Sequence, residues 1–300
     1  MSKNIKNVMA VIDYIENHLS DKLDLETVAN AMNYSKFHLH RMFTEMVGLT
    51  IHEYIQRRQL TEAAKLLVFS DKPIIEIALI AGYKSQQAFT AVFKSMYKKT
   101  PNQYREKEEF YPLQLRYVLN ENPTKSEGSF PWQEAIDLAV CEDIPMWMDL
   151  VRLVIDGFPN LNERDYLEQL GEYIRQKRAL ILKDKDIAIG IMAFHEERGS
   201  IDFLGIHPQY RKLGITRAFL MKALSRLSDP NMDIAVTTFR EGDKADTGYR
   251  NTFKKLGFAE AELLTEFGYP TQRFILQKEH LEKTQNGRST NDRKSSLTKF

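Results

Sequence analysis

A stretch of about thirty residues occurs twice in the first third of the chain. ETVANAMNYSKFHLHRMFTEMVGLTIHEYI, beginning at Glu26, overlays IEIALIAGYKSQQAFTAVFKSMYKKTPNQYR, beginning at Ile75. Ala29, Tyr34, Ser35, Phe43, Met46, Thr50 and Tyr54 fall on Ala78, Tyr83, Ser85, Phe93, Met96, Thr100 and Tyr104. The offset is 49 before the central turn and 50 after it, as one inserted residue in that turn requires. A repeated supersecondary unit therefore constrains the fold before composition is considered.

Each copy reads as helix, short turn, helix. Leu25, Val28, Ala29 and Met32 keep helical spacing, Asn33-Tyr34 interrupts, and Ser35 caps a second helix that turns Leu39, Met42, Phe43 and Met46 inward. In the second copy Pro73 suits a first helical turn and Ile74, Ile77 and Ala78 face in. Gly82 ends that helix, and Ser85 caps the next, with Phe89, Val92 and Phe93 buried. Between the copies, Thr50 and Glu53 have capping-box spacing and open a connecting helix of about five turns. Two second helices held by one rod suit successive major grooves, about 34 Å apart on one face of double-stranded DNA.

Removing the inward residues leaves Lys36, Phe37, His40 and Arg41 on the outer face of the first such helix, and Gln86, Gln87 and Thr90 on the second. Arg and Gln pair bidentately with guanine and adenine edges, and Phe37 suits a thymine methyl or a sugar. Lys94, Lys98, Lys99 and Arg105, with Arg57 and Arg58, are expected at phosphates. NYSKFHLHRMF, GYKSQQAFTAVFK and the closing TPNQYR make residues 5–105 resemble the DNA-binding domain of AraC/XylS-type transcription regulators. Its stress-response members place an aromatic, a polar residue and an arginine where Phe37, His40 and Arg41 stand, and paired glutamines at Gln86 and Gln87. A basic residue expected one turn later is Ala91 here, so the preferred operator should differ. The resemblance brings RNA polymerase in as a candidate partner.

Bulk properties fit this picture without requiring it. Three hundred residues suit two domains, and 43% hydrophobic with 28% charged residues is an ordinary globular balance. The net charge of +1 carries no nucleic-acid signal, and residues 1–110 hold 15 basic against 13 acidic side chains. No apolar run is long enough to span a membrane, and the chain reads as cytoplasmic. The single cysteine, Cys141, excludes an internal disulfide and a multi-cysteine zinc site, and reads as a small buried hydrophobe. No His, Cys and Asp constellation has metal spacing.

Residues 107–132 mix charge, Pro, Gly, Asn and Ser without sustained periodicity and read as a linker. The tail, 283–300, is polar and reads as disordered. Between them, strands alternate with helices. AIDLAVCED reads as a strand, two helices follow, and LILKDKDIAIGIMAFHEERGSIDFLGIHP reads as three strands joined by tight turns. A helix over 215–227, a strand, a helix and two closing strands complete a mixed α/β layer structure. Within the first of these helices Met146, Trp147 and Met148 read as core. The fold class is thus multidomain. An all-α tandem helix-turn-helix domain over 1–106 is followed by a mixed α/β domain over 133–282.

In HPQYRKLGITRAFL, from His207, a strand ends and the chain turns through a basic stretch with one glycine into a helix. A helix N-terminus offers unpaired N–H groups and partial positive charge, and Gly214 lets an anion approach the backbone. Taken alone, an ordinary strand-to-helix turn explains it. With YRNTFKKLGF about forty residues later, the element order over 136–277 resembles GNAT-type N-acetyltransferases. That resemblance implies acetyl-CoA or another acyl-CoA as ligand. Arg211, Lys212, Leu213, Gly214 and Thr216 would lie at its pyrophosphate, and Leu204 to Ile206 along its pantetheine arm.

Two residues depart from the family. Thr216 stands where Gly or Ala is usual. Phe253 stands where a tyrosine usually serves as general acid, and a phenyl ring has no proton to give. Candidate bases are Asp202, Glu196 and His195, and Tyr249 is a candidate acid. Three readings stay open: a regulator whose GNAT-like domain senses acyl-CoA, a bifunctional regulator and N-acetyltransferase of a small amine, and a cofactor-free interaction scaffold. The operator, the sign of regulation and the oligomeric state leave no trace in the residues.

Overall fold

The computed structural model describes residues 2–21, 23–123, 130–229 and 231–277. The expected tail at 283–300 and the linker stretch 124–129 lie outside the described residues.

The first domain is all helix: α1 (Ser2–Asn17), α2 (Leu25–Ala31), α3 (Lys36–Val47), α4 (Ile51–Phe69), α5 (Ile74–Ile80), α6 (Gln86–Tyr97) and α7 (Pro101–Lys107). Local chemistry sets the helix starts. Ser35 and Ser85 accept from the N–H groups of His38 and Ala88, and Asp24 accepts from Thr27. Thr50 and Glu53 close a reciprocal capping box, with bonds of 2.8 and 3.1 Å, which Thr100 and Gln103 repeat at α7. The expected inward residues Leu39, Met42, Phe43, Phe89 and Phe93 are buried. The repeat extends to helix ends, because Gly48 (φ 83°) closes α3 where Lys98 (φ 59°) closes α6. A left-handed lysine costs about 1 kcal/mol. Its side chain in return reaches Asp243 of the second domain at 2.7 Å.

The second domain is a seven-stranded sheet of β1 (Asp137–Leu138), β2 (Ala179–Asp184), β3 (Ile187–His195), β4 (Ser200–Ile206), β5 (Ile234–Phe239), β6 (Ala259–Glu266) and β7 (Tyr269–Leu276), ordered β1-β2-β3-β4-β5-β7-β6. Helices α8 (Ile144–Leu153) and α9 (Glu163–Arg175) pack on one face, and α10 (Ile215–Leu224) and α11 (Tyr249–Lys255) on the other. Trp147 is fully buried and donates its indole N–H to Tyr166, so Met146 to Met148 belong to the core side of α8. All strand pairs are antiparallel except β4 with β5. That parallel pair registers only at Ser200 with Ala235 and Ile201 with Val236, after which the strands diverge. Opposite β3, Ala193 faces Phe203 while Phe194 faces Ile201, which makes Asp202 the extra residue of a bulge.

Two local expectations change. AIDLAVCED supplies only a two-residue strand, because Asp143 accepts from the Val140 N–H and pairs with Lys183, pulling Cys141–Asp143 into a 3-10 turn. Cys141 consequently lies exposed rather than buried.

Residues 108–123 form an extended strap without regular structure. Its Tyr111, Leu113, Gln114, Tyr117 and Leu119 are buried. The strap follows α4: Thr61 Oγ1 accepts from the N–H groups of Leu113 and Gln114, and Tyr54 Oη from that of Tyr117. One apolar core runs from α1–α4 through Tyr117 and Leu119 to α8 and the sheet, and a second joins α4–α6 to Phe239, Ala245 and Tyr269. Among the described residues no helix is long and apolar enough to cross a membrane.

Candidate functional site

The outer face of α3 carries Lys36, Phe37, His40 and Arg41, all exposed, at the i, i+1, i+4, i+5 spacing that places them on one side of a helix. Phe37 is 89% exposed, an unusual position for a phenyl ring unless something covers it. Lys36 pairs loosely with Glu26 at 3.1 Å. On α6, Gln86, Gln87 and Lys94 are exposed and Thr90 is half-buried. Among the described residues, Phe37, His40, Arg41, Gln86 and Gln87 have no side-chain hydrogen bond, ion pair or ring contact, which leaves the polar atoms of the last four unengaged.

Several cations expected at phosphates are spent inside the protein. Arg57 is buried and donates to the carbonyls of Ala245 and Leu113. Arg58 is buried, forks onto Glu16 and reaches Glu62 and the Gln114 carbonyl. Arg105 donates to the carbonyls of Leu67 and Lys72. Lys98 holds Asp243, and Lys99 lies over the Tyr111 ring, where burial and then Lys107 push its ammonium down. A buried guanidinium satisfied by carbonyls cannot also reach solvent-side phosphates. Arg57 and Arg58 are therefore struck from the DNA-contacting set.

In the second domain the turn after β4 enters α10 through Gly214, whose φ of 79° suits glycine. A Cβ built there meets nothing within 4 Å, so the turn faces open space. No side chain caps α10, and its first N–H groups, those of Ile215, Thr216 and Arg217, have no intrahelical partner. By contrast Asp246 occupies the α11 N-terminus, accepting from Gly248 and Tyr249. Lys212 is exposed beside Gly214, while Leu213 packs half-buried on the core. The open α10 terminus suits a phosphate group.

The edge leading to that turn fits an amide-bearing arm with one obstacle. His207 N–H donates to Ile189, so by alternation Leu204 and Ile206 turn their backbone groups away from β3 into the divergence from β5. The carbonyl of Ile206 is taken by Nε of Arg211 at 3.3 Å. Arg211 does not point outward. Its Nη2 donates to Tyr249 Oη at 3.2 Å and lies 3.7 Å from the buried Asp156 carboxylate. Thr247 donates to the same carboxylate at 2.6 Å. Lys212, Leu213, Gly214, Thr216, Leu204 and Ile206 are thus brought together, whereas the Arg211 side chain is withdrawn from them.

The catalytic candidates are engaged elsewhere. Asp202 accepts from Tyr173 at 2.5 Å, His195 Nε2 at 3.0 Å and Ser200 at 3.1 Å, three of its four or so lone-pair sites. Arg178 donates to His195 Nδ1, which leaves that ring without a free acceptor. Glu196 is held by Arg226 through two bonds. Tyr249 lies at the other end of the sheet, and burial, then Asp156, raise its hydroxyl pKa well above the ordinary value. Phe253 is buried against Phe258 and the core. Among the described residues no group of three His, Cys, Asp or Glu side chains can hold a metal ion.

Residues that the sequence did not single out lie around Arg211: Tyr117 of the strap and Asp156, with Thr247 bonded to that carboxylate. Burial makes them notable, and burial of a polar residue in a loop leaves no periodic signal.

A helix-turn-helix domain profile matches residues 28–107, and an acetyltransferase (GNAT) domain profile matches residues 156–268. The chain is 43% identical over 100 residues to an uncharacterized HTH-type transcriptional regulator, YbfP, of Bacillus subtilis, covering 33% of this chain and 34% of that protein. It therefore spans about a third of the length of that relative. It is 39% identical over 108 residues to the probable transcription factor PqrA of Proteus vulgaris, covering 35% of this chain and 87% of PqrA. A GNAT-family acetyltransferase structure from Bacillus cereus aligns at 18% identity and a TM-score of 0.36, covering 48% of this chain and 96% of that one. The exposed recognition faces and the near-complete coverage of a regulator such as PqrA lead to one assignment: the chain belongs to the AraC/XylS-type helix-turn-helix transcription regulators and carries a GNAT domain behind its DNA-binding domain.

Proposed function

We propose that this DNA-binding regulator uses its GNAT domain to sense an acyl-CoA in the cytoplasm rather than to turn it over. The observation that carries the reading is the open N-terminus of α10, uncapped, beside a β4 edge whose polar groups face the divergence from β5. Bound there, an acyl-CoA would bring an activated thioester. The chain's own residues supply binding: N–H groups of residues 214–217 and the Lys212 ammonium for phosphates, and the Leu204 backbone for the arm.

Turnover needs a base for the incoming ammonium and benefits from an acid for the leaving thiolate. Asp202, His195 and Glu196 are committed to Tyr173, Arg178 and Arg226, and Phe253 offers no proton. The DNA-binding half supplies readers, with Arg41, Gln86 and Gln87 at base edges, and Lys36 and Lys94 at phosphates.

Calorimetric titration of acetyl-CoA into the full chain, repeated with Gly214→Glu, tests the binding claim. Binding by wild type and its loss in the variant are expected. Thiol release from acetyl-CoA over a panel of amines tests the sensing claim, and release above background would replace sensing by catalysis.

A further inference from the structure

We propose that Arg211 is a latch between the acyl-CoA turn and the DNA-binding domain: its inward contacts hold the domain seam closed, and binding at the turn requires it to let go. This rests on the acyl-CoA reading above and names how the signal leaves that site.

Three observations carry it. First, Arg211 competes with a bound arm for the same edge, because its Nε occupies one acceptor site of the Ile206 carbonyl where an arm would lie. Second, the same guanidinium touches the DNA-binding domain. Its Nη1 lies 3.7 Å from where a Cβ on Gly48 would stand, at the α3–α4 corner, while Nη2 holds Tyr249 and faces Asp156.

Third, the residues flanking Arg211 are tied to the strap, and the strap to α4. Gln209 and Asn120 exchange bonds of 2.9 and 3.1 Å, Asn120 donates to Tyr210, and the His207 ring bonds to the Val118 backbone. Upstream, Arg57 and Arg58 of α4 donate to the strap carbonyls of Leu113 and Gln114. Helix α4 connects the two reading units, so a shift of the strap acts on the element that sets their spacing.

The seam is also incompletely satisfied. Gln114 Oε1 and Arg57 Nε are buried without a hydrogen-bond partner among the described residues. Buried orphan groups disfavour the closed state, which marks this seam, rather than the apolar cores beside it, as the element with a second arrangement within reach. A ligand that competes for Arg211 shifts that balance through its differential affinity for the two arrangements.

Hydrogen exchange of the full chain, with and without saturating acetyl-CoA and alongside calorimetry, tests the latch. In wild type, acetyl-CoA should speed exchange about tenfold in residues 113–120 and at the α3–α4 corner, as loss of charge-assisted hydrogen bonds implies. Arg211→Ala should show the same acceleration without ligand. Tyr249→Phe, which keeps the ring against Gly157 but removes the hydroxyl that Arg211 holds, should bind acetyl-CoA more tightly by several-fold. Heat of binding with unchanged exchange in both segments would overturn the latch and leave the sensor standing. Absence of binding would overturn the sensor and with it the ligand's role. Unchanged exchange in ligand-free Arg211→Ala would overturn the mechanical link itself.

Discussion

His207 closes β4 at the head of the turn into α10 and is only 4% exposed. Its Nδ1 accepts from the Gln209 N–H at 3.3 Å, so the neutral ring carries its proton on Nε2 toward the Val118 backbone. Burial, reinforced by the neighbouring Arg211 charge and partly offset by the Val118 bond, pushes its pKa down from 6.5 to about 3. The unfolded chain therefore takes up a proton below pH 6.5 that the folded chain refuses. Stability from this residue is complete above pH 6.5, declines as pH falls, and is fully lost once pH passes about 3. The slope is about 1.4 kcal/mol per pH unit, so at pH 5 the loss is about 2 kcal/mol. Urea unfolding of wild type and His207→Gln at pH 7.5 and pH 5.0 measures it, because every other residue is shared by the two proteins and cancels in the comparison. Wild type should lose about 2 kcal/mol more than the variant over this interval. Equal losses would refute the assignment of a buried neutral ring.

Arg41→Ala should weaken binding to a duplex selected by the protein itself by about 1–3 kcal/mol and relax preference at one base position. Lys94→Ala should weaken binding evenly across sequences and reduce the salt slope by about one, as fluorescence anisotropy over a salt series reports. Arg57→Ala should leave that slope unchanged yet destabilise the protein by about 3 kcal/mol, because it strips donors from the Ala245 and Leu113 carbonyls in a buried seam. Gly157→Ala places a Cβ 2.5 Å from the Tyr249 ring and should cost about 1–3 kcal/mol in denaturant unfolding.

What could be read from the residues was what local periodicity encodes. The repeat, the caps at Ser35, Ser85 and Thr50, and the outward set on α3 and α6 follow from local spacing, and the structure places them so except for Thr90, which is half-buried. The Thr100–Gln103 capping box follows the same rule and was equally readable. Arg57 and Arg58 misled because α4 is buried on several sides, and the atoms that claim them, Ala245 O and Glu16, lie 188 and 42 residues away. AIDLAVCED has strand composition, but a single side chain, Asp143, captures its end. The strap's residues alternate too irregularly to betray burial, since Gln114 and Leu113 are both inside and Val118 is out. Arg211 had the sequence position of a phosphate contact, and only packing against Tyr249 and Asp156 shows it turned inward. Chemistry set by distant partners was the part that spacing could not carry.

The proposed acyl-CoA site and the DNA-reading helices belong to one chain, and linkage between them tests their coupling most directly. Affinity for a selected duplex should be measured with and without saturating acetyl-CoA, for wild type and for Gly214→Glu. The two sites are coupled if acetyl-CoA changes the wild-type dissociation constant about fivefold or more and leaves the variant's unchanged. A wild-type affinity that is the same with and without acetyl-CoA would contradict the account, however tightly the ligand binds.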